Sequence, residues 1–307
     1  MVYNCSILSY FCDFLKEVKI MSADLHCHTK LSDSSMGIDD LIVLAQKRGI
    51  TTIAITDRDC QAGTVRGKII GERRGITVIP GVEISAYDSK RDKYVEIICY
   101  LSDSPDRLEG LCHRNIVARK KASQLMTLKI ARKYPITPEL VLKCATGSTA
   151  VFEQHIMHAL LECGLTDKIY GDLYYELFSP ESPDYVLVKA SYPDPKEVIE
   201  AIHEAGGIAV LAHPGSLDSL ELIEELIPCG LDGVEVWNPE ISEELEKKLS
   251  AAAKSNGLLT LGGTEFRGMY SKKPISVGEY STPDAQVKAL MSYKTRMKKK
   301  KSATENK

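Results

Sequence analysis

Residues 23–35, Ala23-Asp24-Leu25-His26-Cys27-His28-Thr29-Lys30-Leu31-Ser32-Asp33-Ser34-Ser35, join a short apolar run to two histidines one residue apart. Ala23 to His26 reads as a short buried strand. Alternation along it turns His26 and His28 to one side and Cys27 to the other. Two neutral imidazoles on one side can share a divalent ion. Taken alone, the pair fits packed or surface histidines equally well.

A strand–helix rhythm runs outward from this stretch. Gly37 to Lys47 is helical, with apolar Leu41, Ile42, Leu44 and Ala45, and it ends at Arg48-Gly49. Ile50 to Thr56 is β-branched and apolar, as a buried parallel strand is. A helix over 62–74 and strands at Ile76–Pro80 and Tyr94–Leu101 follow. Residues 106–133, 137–145, 150–163 and 168–178 read as helices, and Pro180, Pro183, Pro193 and Pro195 mark the exit from them. The rhythm then returns. Helices are expected at Pro195–Ala205, Leu217–Ile227 and Ser242–Asn256, and strands at Ile208–Ala212, Gly233–Trp237 and Leu258–Leu261. One α/β layer is thus interrupted by a helical insert.

Bulk properties are ordinary. The chain has 307 residues, 44% of them hydrophobic and 26% charged, and a net charge of −3 that favours no partner class. Lys294 to Lys301 is the exception, with six basic residues of eight. It reads first as a solvated tail and second as a nucleic-acid contact. Nine cysteines, at 5, 12, 27, 60, 99, 112, 144, 163 and 229, form no CxxC pair. Their odd number argues against a disulfide framework and for the cytosol. No apolar run reaches the roughly 18 residues that span a bilayer. Residues 1–22 read as an N-terminal extension without the features of a signal peptide.

Functional side chains in such folds gather at the C-terminal ends of strands. His26, His28, Asp57, Glu83, Glu96, His213 and Thr264-Glu265-Phe266-Arg267 stand there. Singly, each is a cap or an ion-pair member. Together they supply nitrogen and oxygen donors to one mouth, where a cation would relieve the repulsion between carboxylates.

Five ordered segments carry a resemblance: DLHCHTKLSDSS at 24–35, AITDRD at 54–59, PGVEIS at 80–85, AHPG at 212–215 and GGTEFRG at 262–268. With them the sequence resembles the PHP family, the polymerase and histidinol phosphatase superfamily of metal-dependent phosphoesterases. The insert, through Thr149–Gly164 and Tyr185-Val186, is similar to that of the subfamily with nucleotide phosphatases and 5′-end RNA exonucleases. The resemblance implies an α/β fold, a distorted (β/α)7 barrel with a helical insertion domain. It places 23–105 and 191–290 in the barrel and 106–190 in the insert, leaving 291–307 as a basic disordered tail.

It also implies a ligand set. His26, His28, Glu83 and Glu265 would hold one divalent ion, and Glu83 would bridge to a second that also takes His213 and Glu96. A third ion would take Asp33 and two histidines. Here the sequence departs from the family: Arg58 and Arg267 stand where those histidines are expected, and Glu96 replaces a histidine. Arginine stays protonated and cannot ligate a metal. A coherent swap follows, in which guanidinium charge replaces the third cation, Asp33 orients the arginines, and Arg58 and Arg267 clamp a phosphate bidentately. A decayed, inactive site is the alternative. Two ions remain expected, Mn, Fe or Zn, with Glu96 favouring the harder ones. They would lower the pKa of a shared water, whose hydroxide attacks phosphorus while the arginines neutralise developing charge.

Lys189 and His155 are further candidates for contact with substrate, His155 standing where the subfamily keeps a histidine. The neighbouring positions that relatives use for substrate are here Val151 and Gln154. Arg114, Arg119, Lys120 and Lys121 read as a solvated helix face, and His113 and His203 as surface histidines. Asp57 and Asp59 either hold Arg58 or cap loops, and Trp237 either lines the pocket or packs beside it. The favoured activity is hydrolysis of a small phosphorylated metabolite, a phosphomonoester or cyclic phosphodiester, with no membrane partner. A nucleotide phosphatase or 5′–3′ exonuclease and a non-catalytic phosphate binder are the rivals.

Overall fold

The computed structural model describes residues 23–215 and 218–305. The expected N-terminal extension lies outside them. Seven strands form one sheet in sequence order: β1 (Ala23–Cys27), β2 (Thr52–Ile55), β3 (Thr77–Asp88), β4 (Lys93–Tyr100), β5 (Ile208–Leu211), β6 (Gly233–Trp237) and β7 (Leu259–Gly262). The β1–β2–β3 and β5–β6–β7 pairs are parallel, and β4 runs antiparallel to both its neighbours. Just past β7 a parallel bridge joins Cys27 to Phe266, and the His28 amide donates to the Phe266 carbonyl at 3.0 Å. The sheet therefore curls into a nearly closed barrel.

Closure needs close approach of backbones at Gly263. A Cβ there would lie 2.3 Å from the His26 nitrogen and 2.6 Å from an Asp24 carboxylate oxygen, so only glycine fits. β3 is longer than the Ile76–Pro80 strand expected from sequence. It leaves β2 at Pro80 and pairs with β4 from Gly81 onward, so Glu83 lies within the strand and not just after it. The pattern was hidden because β3 changes partner without breaking its extended backbone.

Helices α1 (Ile38–Lys47), α2 (Thr64–Arg74), α7 (Pro195–Glu204), α8 (Asp218–Leu226) and α9 (Glu243–Asn256) alternate with the strands. Val198, Ile199 and Ile202 on α7 pack with Ile97, Leu211 and Val234 of the sheet, all buried. Each fully buried aliphatic side chain contributes about 1.5–3 kcal/mol. A plug of Leu25, Ile79, Ile98, Val210 and Leu261 fills another core.

Between β4 and α7 stands the insert: α3 (Glu109–Ala131), α4 (Pro138–Cys144), α5 (Glu153–Glu162) and α6 (Asp172–Phe178). It has its own core around Met126, Ile130, Ile156, Leu160 and Leu177, into which Tyr270 from the second barrel half inserts. The last helix, α10 (Asp284–Glu305), runs through the stretch expected as a disordered tail. Its first half is docked: Leu290 is buried, Tyr293 donates to Asp232 at 2.8 Å, and Lys294 reaches Asp103 at 2.8 Å. No described helix is long and apolar enough to cross a membrane.

Candidate active site

His26 is the last but one residue of β1 and His28 directly follows the strand, so both rings turn to the barrel mouth and their Nε2 atoms converge to 3.1 Å. Glu83 is the hub beneath them. Its Oε1 lies 3.3 Å from His26 Nε2 and 3.1 Å from His213 Nε2, and its Oε2 lies 3.6 Å from His28 Nε2. Glu265 follows β7 and meets His213 Nε2 at 3.3 Å. Donor atoms of His26, Glu83, His213 and Glu265 all lie within 4.8 Å of one another. His213 and Glu265 both hold left-handed backbone, at φ 23° and φ 50°. That costs on the order of 1 kcal/mol each in a non-glycine residue, strain typical of functional positions.

The donor set suits a divalent cation. His26 Nδ1 faces Glu235 Oε1 at 2.9 Å, so a neutral ring presents its Nε2 lone pair to the cluster. The same Glu235 accepts from the His213 amide at 2.7 Å and so holds two candidate ligands. Glu83 Oε2 and Asp33 Oδ1 are buried and accept no well-aligned hydrogen bond among the described residues, with Arg58 Nη1 3.0 Å from the first and His28 Nδ1 3.3 Å from the second. Five carboxylates, Asp33, Glu83, Glu96, Glu235 and Glu265, face only two guanidinium groups. Burial opposes charge on His26, yet Glu235 and Glu83 outweigh it and push the ring up to about 10. The site thus demands more positive charge than its arginines provide. Burial instead pulls His28 down to about 3 and keeps it neutral, as a ligand must be.

Arg58 and Arg267 fill the flank where the resemblance puts the third ion of relatives and where arginine was expected to replace it. Arg58 Nε donates to Asp33 Oδ2 at 3.1 Å, and Arg267 Nε lies 2.9 Å from the same oxygen. Arg58 Nη1 reaches Glu83 and Glu96 at 3.0 Å each, and Nη2 reaches Glu265 at 3.2 Å. Arg267 also pairs with Glu265. Glu96 therefore stands on Arg58 and outside the four-residue cluster, and His213 joins His26 and Glu265 within it. The antiparallel course of β4 is the reason: it sets Glu96 opposite Ser85, two residues beyond Glu83.

Other candidates fall elsewhere. Lys189 donates to Asp92 at 2.7 Å on the surface and does not line the cavity over the site. His155 is also absent from that cavity's lining; its Nδ1 accepts from the Phe152 amide at 3.1 Å and closes the start of α5. Asp57 accepts from Thr29 and Ser32, and burial raises it to about 6. Asp59 accepts from Ser85 and Asn115, so neither aspartate holds Arg58. Trp237 packs against the core and donates to Glu246 at 3.1 Å. Arg114, Lys120 and Lys121 are exposed.

Sequence reasoning missed three groups. Glu235 is a fully buried acid inside the apolar strand GVEVW, a signal that was readable. Asp24 is similar; it accepts from Thr264 and Gly278 and ties β7's exit loop to β1. Arg119, expected as a solvated charge, donates to Asp59 at 3.0 Å and Ser85 at 2.7 Å and lines the cavity of about 400 Å³ above the cluster. Its helix spacing carries no sign of that.

The PHP domain matches residues 24–207. A phosphoribosyl 1,2-cyclic phosphate 1,2-diphosphodiesterase of Eggerthella lenta is 32% identical over 83% of this chain and 97% of its own length. A 5′–3′ exoribonuclease of Escherichia coli is 28% identical over 79% of this chain and 84% of that protein. The crystal structure of a protein from Bifidobacterium adolescentis, titled as a metal-dependent phosphoesterase, superposes with a TM-score of 0.79 at 29% identity, covering 88% of this chain and 95% of that one. By its ordered motifs, its barrel and its histidine–carboxylate cluster, the chain belongs to the PHP-domain family of metal-dependent phosphoesterases.

Proposed function

We propose that the ester hydrolysed by this chain is a small phosphorylated metabolite, a phosphomonoester or cyclic phosphodiester, held by Arg58 and Arg267. The carrying observation is the pairing of both guanidiniums on Asp33 beside the His26–Glu83–His213–Glu265 cluster. Divalent ions, when bound by that cluster and His28, supply water activation and charge neutralisation. Asp33 anchors both Nε atoms and fixes the planes of the two forks. Their Nη groups, now on Glu83, Glu96 and Glu265, are the donors that phosphate oxygens would take in exchange. In the transition state they meet growing negative charge on those oxygens without having to reorganise.

The cyclic-phosphate activity of the Eggerthella lenta relative supports a small diester or monoester over a polynucleotide. So does the size of the cavity, about 400 Å³ in volume. The described cysteines are all free, which supports a reducing, cytosolic setting.

Arg267→His tests the clamp. The expected result is either an additional bound ion, seen by metal analysis, or a changed preference among p-nitrophenyl phosphate, its bis-ester and a short RNA. If metal content and substrate preference both stay as in the wild type, the clamp is wrong.

A further inference from the structure

The end of the barrel opposite the mouth carries positive charge that ester hydrolysis does not use. We propose that Lys298-Lys299-Lys300-Lys301 on α10 dock the phosphate backbone of a nucleic acid strand, away from the site of hydrolysis.

The docked half of α10 fixes where these lysines stand. Leu290 packs with Ala23, Ile208 and Leu259, the first residues of β1, β5 and β7. Tyr293 donates to Asp232, which directly precedes β6. Lys294 reaches the Leu101 carbonyl and Asp103, just past the end of antiparallel β4. The parallel strands begin at this end and finish at the mouth, where His28, His213 and Glu265 follow them. Past Lys294 the helix runs on to Glu305, a further length of about 16 Å at 1.5 Å per residue. The helix dipole does not account for the lysines. It favours cations in the last turn, and the last turn of α10 holds no basic residue. Lys294 and Lys298, and Lys298 and Lys301, stand at the four- and three-residue spacings where like charges oppose a helix. An anionic partner turns that repulsion into attraction. Exposed Lys47 and Arg48 at the end of α1, Arg73 and Arg74 at the end of α2 with Glu72 beside them, and Lys254 at the end of α9 lie at the same end of the barrel. The dipole accounts for each of these singly, yet together they add positive charge there in a chain whose net charge is −3.

The residues of the helix select the kind of anion. Four successive positions turn through about 300° at 3.6 residues per turn, so lysine positions surround that turn. A helix lying on a membrane needs an apolar face opposite its cations. From Lys298 to Glu305 the sequence has one apolar residue, Ala303, and builds no such face. A phosphodiester strand asks for none. Its charges recur along the strand, and each lysine that meets one releases a condensed counterion. Lysine, a compact charge on a flexible stem, suits a backbone contact that carries no base information. Tyr293, the one aromatic residue of α10, is engaged by Asp232 and lies under Arg296, so the helix offers no ring on which bases stack.

The test follows the fluorescence anisotropy of a labelled phosphorothioate oligouridylate, about 20 nucleotides long, on the Mn²⁺-loaded full chain. The wild type should bind it at about 50 mM salt, and log Kobs should fall against log salt with a slope of about −3, from roughly 0.7 per phosphate over four contacts. Lys298→Gln, Lys299→Gln, Lys300→Gln and Lys301→Gln together should cut affinity at least about tenfold and bring the slope near zero. Lys298→Gln with Lys300→Gln alone should about halve the slope. Both variants should keep wild-type turnover of p-nitrophenyl phosphate, which shows that they are folded. An oligothymidylate of equal length should bind within about threefold of the oligouridylate. Inorganic phosphate at constant ionic strength should displace neither. Absence of binding by the wild type, or equal binding by the fourfold variant, would overturn the proposal. Displacement by phosphate would place the strand in the mouth and overturn it too. A strong preference for one oligonucleotide would overturn a backbone contact. Tighter binding to phosphatidylserine vesicles, lost with the same lysines, would assign this surface to a membrane instead. Parallel loss of turnover and binding in both variants would make the lysines supports of the fold and overturn the docking role.

Discussion

The barrel mouth and the insert wall face one cavity with opposite chemistry. At the mouth, charges are buried and locked together: Glu83 touches two histidines and Arg58 within 3.3 Å, and Asp33 takes both arginines. On the wall, the rings of Phe152, Tyr170, Tyr174 and Tyr192 stand beside the polar side chains of Glu153 and Gln154. A buried charge cluster tolerates little change, because deleting one partner leaves the others unpaired at about 3–5 kcal/mol. An aromatic wall with polar side chains beside it can be retuned residue by residue. In this molecule the barrel holds the histidine–carboxylate cluster, and the insert, with its own core, supplies the facing wall of the cavity.

The largest effect should follow from breaking the mouth. His26→Ala removes one of four clustered donors and leaves Glu235 and Glu83 without their shared ring. Turnover of p-nitrophenyl phosphate should fall on the order of 10³-fold, with less metal retained per chain. Unchanged turnover would mean that the cluster does not carry the reaction.

A smaller effect sharpens the boundary between donors and their supports. Glu235→Gln should lower metal affinity about 10–100-fold, since it weakens the orientation of His26 and of the His213 backbone without deleting either. Metal titration followed by activity at saturating metal separates affinity from turnover. Loss that persists at saturating metal, with the metal affinity unchanged, would count against a positioning role.

The smallest effect probes the insert as a folded body. Burial holds His155 down at about 4, so its neutral form is favoured in the folded chain. The unfolded chain binds that proton below its ordinary value of about 6.5. The stabilisation is therefore complete above pH 6.5 and is lost as pH falls toward 4, by at most about 3 kcal/mol. His155→Asn retains a cap acceptor for Phe152 and should flatten the fall in urea midpoint between pH 6.5 and 4.5 relative to the wild type. Parallel wild-type and variant curves would show that His155 does not titrate as the buried cap does.

Much of the barrel was legible because parallel strands buried on both faces must be apolar. Thr52–Ile55, Ile208–Leu211 and Gly233–Trp237 announce themselves in this way. Helix ends were legible where capping chemistry is local: Asp194 accepts from Lys196, and Ser242 from Leu245. The sharing of partners was not. Periodicity says that Glu96 faces the mouth but not that Arg58 takes it, and the change of partner within β3 leaves no mark in the residue pattern. Nor does helix spacing distinguish Arg119, held between two aromatic rings, from the exposed Lys120 next to it.

The linear order of residues by itself determined which side chains stand at strand ends, that two of the expected histidines are arginine, and that a helical body interrupts the barrel. Those properties follow from alternation, burial and residue chemistry, which act along the chain. Tertiary structure alone decided that His213 stands with His26 and Glu265, that Glu235 of β6 supports both His26 and the His213 backbone, and that Arg119 turns inward. Each is a contact between segments far apart in sequence, set by strand order and barrel closure.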